Sequence, residues 1–441
     1  MSIYRWIVLL VLLLFSASLS AQFKVEVTEG QISDYKIGAP DFAEASPKSA
    51  KLAKTLSTVL RRDLNLSGFF TVLDPRSYLN KKETPVNKLV VQAWTQVGAQ
   101  GVVKASLNVQ DKTELKLVFF DVATGKSRLA KVYKGSPSAI RRSVHSFVKD
   151  IVFLLTGEKL SFFDSKIVFI DKKQEKKGMR YRLILADFDA ANQKVLVTGT
   201  NILSLPAWSY DGKKIFYTSY TTGAPYLYAI TIATGKKKLI SSFPGLNSSV
   251  SASPDGKHIV LRLSKDGNAE LYLMNLLTHK VKRLTRSIAI DTAPSFSPDG
   301  KYISFVSNRS GVPHIYRLSV NNSNRVERLT TQGRYNQDPD YSPNGKSIVF
   351  SGRDEKYQFD LFVYDIPTGS ISRLTQNQGR NENPTFSPDG RLILFTSDRL
   401  GRTGLFISTL DGKKQEKIFV GYGNIITPAW SPVPKANGVK K

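Results

Sequence analysis

Pro294-Ser295-Phe296-Ser297-Pro298-Asp299-Gly300-Lys301 is the clearest of six copies of one phrase, and its recurrence decides the fold. Pro206-Ala207-Trp208-Ser209-Tyr210-Asp211-Gly212-Lys213 comes first. The later copies begin at Val250, Pro294, Pro339, Pro384 and Pro428, so the spacings are 44, 44, 45, 45 and 44 residues. Ser-Pro-Asp-Gly is a tight turn: Pro presets φ at its second position, Asp suits the third, and Gly closes the fourth. Apolar strands follow each turn, such as Ile303-Ser304-Phe305 and Ile393-Leu394-Phe395. A third strand (Ile315-Tyr316-Arg317-Leu318) and a fourth (Val281-Lys282-Arg283-Leu284-Thr285) complete the unit. Four antiparallel strands in about 40–45 residues make one β-propeller blade.

The ends of the array complement each other. Lys166 to Ile170, Arg182 to Leu185 and Lys194 to Val197 read as second, third and fourth strands without a first. Thr427-Pro428-Ala429-Trp430-Ser431 reads as a first strand alone. The expected fold is therefore mixed: a small N-terminal α/β domain, then a six-bladed β-propeller closed by the C-terminal strand, which removes open sheet edges.

Four segments are expected. Residues 1–21 read as a signal peptide: Arg5, an apolar run from Trp6 to Phe15, then small residues to Ala21. Residues 22–157 form the α/β domain, 158–434 the propeller, and 435–441 a basic tail. Within the first domain, strands are expected at 23–27, 37–42, 69–73, 102–109, 115–122 and 129–133. Helices are expected from Ser46-Pro47 to Gly68, over 86–97, and over Ser138 to Thr156.

Composition narrows the chemistry. There is no cysteine, so no disulfide, thiol chemistry or lipid anchor on cysteine arises. The formal net charge is +27, or +26 without Arg5. An exported chain with scattered basic residues and no aromatic-basic motif is not expected to bind nucleic acid; the charge reads as a solvated surface or as general attraction to anionic envelope partners. His145, His258, His279 and His314 lack metal-ligand spacing and read as surface or turn histidines. No Gly-x-Ser-x-Gly elbow, Walker A loop or dinucleotide fingerprint occurs, so no enzyme, cofactor or metal is expected.

Partner recognition falls to loops. The loops leading into each first strand place Leu246, Asn247, Asp291, Thr292, Asn336, Gln337, Asp338, Asn381 and Glu382 at the central mouth. The loops after the second strands place Arg309, Arg353 and Arg399 further out, where they either meet a partner or tie blades together.

The chain resembles the TolB family, the periplasmic component of the Tol–Pal system of Gram-negative bacteria. The resemblance rests on the repeats, on Arg182 to Asp189 with Asn192-Gln193, on Asn336-Gln337-Asp338, on Pro428-Ala429-Trp430-Ser431-Pro432, and on Leu60 to Leu64 with Ser67 to Phe70. It implies a monomeric adaptor, not inserted in a membrane, with roles in outer-membrane integrity and envelope constriction during division. The propeller mouth would hold the lipoprotein Pal, with Thr292, Asn336, Gln337 and Asp338 carried over; Leu246 departs from the family. The mature N-terminus, Gln22 to Ser33 and chiefly Gln22, Phe23, Lys24, Val25, Glu26 and Val27, would pair with TolA by strand addition. The alternatives are a carbohydrate-binding propeller and a propeller enzyme acting on envelope sugars or peptides.

Overall fold

A computed structural model describes residues 35–44, 49–79, 85–110, 113–353, 355–421 and 423–432. The signal segment, the Gln22 to Ser33 strand, the Ser46-Pro47 helix start and the basic tail lie outside the described residues.

The first part is one sheet covered by helices. Its strands are β1 (Tyr35–Gly38), β2 (Ala43–Glu44), β3 (Phe70–Val72), β4 (Gly101–Val109), β5 (Thr113–Asp121) and β6 (Ser127–Gly135). They pair in the order β3-β1-β4-β5-β6, with β2 also on β4; pairs involving β1 or β2 are parallel, and β4-β5-β6 is an antiparallel meander. β1 ends at Gly38, earlier than sequence suggests, and the Trp94 ring, 2.4 Å from where a Cβ would sit, leaves no room for a side chain there.

The helices are α1 (Ala50–Leu66), α2 (Val91–Gln96) and α3 (Pro137–Thr156). α2 is only the end of the expected 86–97 helix: nothing caps it, and only Trp94 is buried. α3 has all its signals. Ser136 accepts from the Ala139 N–H at 3.4 Å, Pro137 opens the first turn, and Gly157 ends the helix at φ +77°. Its buried face is Ile140, Val144, Phe147, Val148 and Ile151, with Val152, and Leu155 packs at the edge.

Six four-stranded sheets follow. Blade 1 is β7 (Lys166–Glu175), β8 (Gly178–Asp187) and β9 (Lys194–Gly199), closed by the C-terminal strand Asn424–Trp430 on β7. Blades 2 to 6 begin with inner strands Leu203–Trp208, Asn247–Ala252, Asp291–Phe296, Asn336–Tyr341 and Asn381–Phe386. Each repeated turn is held as its sequence requires. In blade 4, Ser297 Oγ donates to Asp299 Oδ1 at 2.6 Å, the Lys301 N–H donates to the same oxygen at 3.0 Å, and Gly300 sits at φ +71°. Blade 1 has no such covalent turn. There the Lys166 N–H donates to Ser431 Oγ at 2.9 Å, the Ser431 N–H to the Lys166 carbonyl at 2.8 Å, and Trp430 Nε1 to Ser165 Oγ at 2.6 Å.

The two parts share a core. Leu60, Leu64, Phe147 and Phe162 belong to one apolar cluster with Phe169, Leu394 and Trp430. Asp389, in the blade 6 turn, uses Oδ1 within the turn as the other blades do. Its Oδ2 accepts from the Ser161 and Phe162 N–H groups at 3.0 and 3.1 Å, where the linker forms a short 3-10 turn. Arg391 pairs with Glu158 at 2.8 Å and stacks on Phe69.

A buried ionic cluster crosses the same junction. Asp189, from the loop after β8, accepts from Arg62 Nη2 and Arg141 Nε, both at 2.9 Å. His145 Nδ1 bonds to Asp63, and its Nε2 lies 3.5 Å from Asp189. His145 is 4% exposed and packed on Phe163 and Phe188, so it is not a surface histidine. His314 is buried too, against Thr330. His258 and His279 do lie at turns.

Candidate partner-binding channel

All six inner strands break register at one place, between the residue pairs Ser204/Ala207, Ser248/Ser251, Thr292/Ser295, Gln337/Asp340, Glu382/Thr385 and Ile426/Ala429. Each bulge holds one residue at positive φ: Leu205, Ser249, Ala293, Asp338, Asn383 and Thr427, between +46° and +54°. Five of the six precede proline, which disfavours the right-handed helical region. A bulge re-aims side chains, and these six residues line an axial cavity of about 660 Å³.

The neck is chemically lopsided. Asn383 Nδ2 donates to Asp338 at 2.8 Å, and Gln337 Nε2 and Arg380 Nη2 donate to Glu382 at 3.3 and 2.9 Å. Deeper, Asp340 accepts from Thr385 Oγ1 at 3.0 Å, from the Phe386 N–H at 2.9 Å and from Ser295 Oγ at 3.2 Å. Blades 3 and 4 contribute a cation instead: Arg262 donates to Ser248 Oγ and, at 3.0 Å, to Thr292 Oγ1.

Burial, reinforced by the Glu382 charge, pushes the Asp338 carboxyl up to about 6. An acid raised in the folded state keeps its proton after the unfolded chain has lost its own near pH 4. Folding is therefore penalised progressively as pH rises from about 4 to 6. Asp338→Asn tolerates φ +52° and can still accept from Asn383. It is expected to gain roughly 1 kcal/mol at pH 7.5 and little at pH 4. Urea melts at both pH values check this; an equal effect at both would contradict it.

The expected mouth residues separate into two groups. Thr292, Gln337, Asp338 and Glu382 are partly exposed, as is Leu246 on its loop. Asn247, Asp291, Asn336 and Asn381 are buried and do not present their side chains to a partner. They pin the connecting loops. Asn247 bonds to Phe243 and Ser241, Asn336 to the Gln332 carbonyl at 3.0 Å and to Thr330, and Asn381 to Asp360 and the Gly379 carbonyl. Asp291 accepts from Arg309 at 2.9 Å.

The three outer arginines each stack on aromatic rings of their own blade. Arg309 lies over Phe305 and Tyr316 of its own blade. Arg399 lies over Phe395 and Phe406 and donates to Asn381, so both brace single blades rather than joining neighbours. Arg353 stacks on Tyr335 and Phe359. Gln22, Phe23, Lys24, Val25, Glu26 and Val27 lie outside the described residues. Sequence reasoning missed Asp340 as a channel residue and Arg262 as the partner of Ser248 and Thr292. Asp340 stood inside a repeat copy, whereas nothing local marked Arg262.

Comparison with known proteins adds a family. The model of the "TolB beta propeller domain" matches residues 153–434, and that of the "TolB amino-terminal domain" matches residues 23–128. The chain is 31% identical over 247 residues to the Tol-Pal system protein TolB of Roseobacter denitrificans, covering 55% of this chain and 56% of that one. It is 32% identical over 228 residues to its counterpart in Paramagnetospirillum magneticum, covering 51% of each. These alignments span about half the length of the curated relatives. A crystal structure of TolB from Acinetobacter baumannii superposes with a TM-score of 0.75 at 31% identity, over 91% of this chain and 97% of that one. With both parts of the chain matched by that family's own domains and the whole architecture superposing, the chain belongs to the TolB family.

Proposed function

We propose that this chain is a non-enzymatic periplasmic adaptor of the Tol–Pal system. The propeller mouth takes the outer-membrane lipoprotein Pal, and the mature N-terminus takes the inner-membrane protein TolA. Through these partners it serves outer-membrane integrity and envelope constriction during division. The observation that carries the reading is the channel built by six like bulges, which Asp338 lines and beside whose lining residues Ala293, Asp338 and Asn383 the partly exposed Thr292, Gln337 and Glu382 stand next in sequence. Family membership supports it. Among the described residues no helix is long and apolar enough to cross a membrane.

Residues 22–441, titrated with the lipid-free Pal domain of the same organism, should bind saturably. Thr292→Trp fills the mouth and releases Arg262. It should weaken Pal at least tenfold while shifting unfolding by no more than about 1 kcal/mol. Deleting Gln22 to Ser33 should change the affinity for Pal, because the two sites would be coupled through the domain junction. No binding by the folded wild-type chain, or full binding by Thr292→Trp, would remove the mouth as the site and leave saccharide retention as the property to measure.

A further inference from the structure

Blade 5 departs from its neighbours in a way that leaves a second cavity, of about 400 Å³, on the flank of the blade. It shares no lining residue with the axial channel. In blade 4 the paired rings Phe305 and Tyr316 are covered by Arg309, whose Cζ lies 5.4 and 5.1 Å from the two centroids. In blade 6 Phe395 and Phe406 are covered by Arg399 at 5.4 and 4.6 Å. Both cations are steadied by a serine, Ser307 or Ser397, at the end of the second strand.

Blade 5 has the same ring pair, Phe350 and Phe362, stacked at 5.6 Å and 20°. At the serine position stands Gly352, which pairs with Asn336 as Ser307 pairs with Asp291. A Cβ there would meet Asn336 at 2.8 Å and Phe362 at 3.0 Å, so the glycine admits the ring and supplies no hydroxyl. Among the described residues only Arg373 reaches the pair, 5.8 Å from Phe362, and it is turned toward Asp360 and Glu355.

The cavity left above these rings has an apolar floor of Phe350, Phe362 and Ile371 and a rim of Arg334, Arg353 and Arg373, with Glu355 the one carboxylate among the described lining residues. Glu355 lies 3.7 Å from Arg373, and Arg334 bonds to the Tyr357 hydroxyl. Arg353 differs from Arg309 and Arg399: its buried Nε has no hydrogen-bond partner, although the guanidinium is fixed by stacking on Tyr335 and Phe359. A guanidinium held between two aromatic rings and without a side-chain hydrogen bond to another described residue, at the rim of a cavity of ligand size with an aromatic floor, suits a carboxylate joined to a compact apolar body.

We propose that this cavity is a binding site for small organic acids that carry a carboxylate on an aromatic or branched apolar stem. Arg353 receives the carboxylate, and Phe350, Phe362 and Ile371 enclose the stem. The site does not depend on the adaptor reading.

The probe is 3-phenylpropanoate, titrated into residues 22–441 while the Ile371 methyl resonance is followed. A saturable shift is expected, with 3-phenylpropanamide binding at least tenfold more weakly. Arg353→Gln should weaken the acid at least fivefold and Arg353→Lys less, while Thr292→Trp, in the axial channel, should leave it unchanged. The proposal is overturned by equal binding of acid and amide, by an unmoved Ile371 methyl up to the solubility limit, or by unaltered affinity in Arg353→Gln.

Discussion

Trp430→Ala is expected to cost about 3–5 kcal/mol, the range for emptying a large buried aromatic site. Trp430 is 6% exposed, lies in the core shared by both parts of the chain, and donates to Ser165 at the point where blade 1 lacks a covalent turn. The other five blades hold this corner by chain connectivity; blade 1 holds it by side-chain packing and three hydrogen bonds. The loss should therefore act on closure, exposing the β7 edge. Urea unfolding measures the cost, and Trp430→Phe should recover more than half of it by restoring area without the donor. A Trp430→Ala melt that coincides with wild type would mean that the seam contributes little to the ring.

Asp189→Ala should be of similar size, about 3–5 kcal/mol, because it takes the carboxylate from a largely buried Arg141 and leaves Arg62 with Asp63 alone, at 3.0 Å. Arg62 and Arg141 have side chains only 13% and 18% exposed, and Asp189 is their shared carboxylate. Burial opposes the Asp189 charge, but Arg62, Arg141 and His145 outweigh it and hold the carboxyl well below the usual carboxylate range. A carboxyl depressed in the folded state stabilises the fold above its unfolded value near pH 4, and that contribution is lost as pH falls through the folded value. Wild type should thus lose stability steeply below pH 4, whereas Asp189→Ala, already without the pairing, should show a shallower acid limb. Parallel melts at pH 3.5 and 7 provide the check; identical pH slopes would dissociate the cluster from junction stability.

The repeat was legible because Ser-Pro-Asp-Gly demands one backbone geometry and spells it in residues. Closure was legible because blade 1 lacks a first strand and the chain ends with one. The channel neck was not. Its six residues are Leu205, Ser249, Ala293, Asp338, Asn383 and Thr427, which share no side-chain chemistry; the bulge selects them by position. That bulge also explains why the first residues of the inner strands, Asn247, Asp291, Asn336 and Asn381, turned out to be buried. They lie before the register shift and are the first residues of strands, buried in the blade, whereas reading them as loop residues placed them at the mouth. His145 sits beside the apolar stripe of α3, but Asp63 and Asp189 approach it from distant parts of the chain, a juxtaposition that local pattern cannot encode.

The two oxygens of Asp389 bear on how such a protein could be rebuilt. Four of the six phrases, those of blades 2 to 5, are interchangeable as carpentry, whereas the copy at Pro428 closes blade 1 without a covalent turn. Only the blade 6 phrase also receives the backbone of Ser161 and Phe162. Shuffling blades would therefore preserve the wheel and lose its axle mount, so duplication or exchange within the array is constrained at one position by an attachment that the repeat itself does not need.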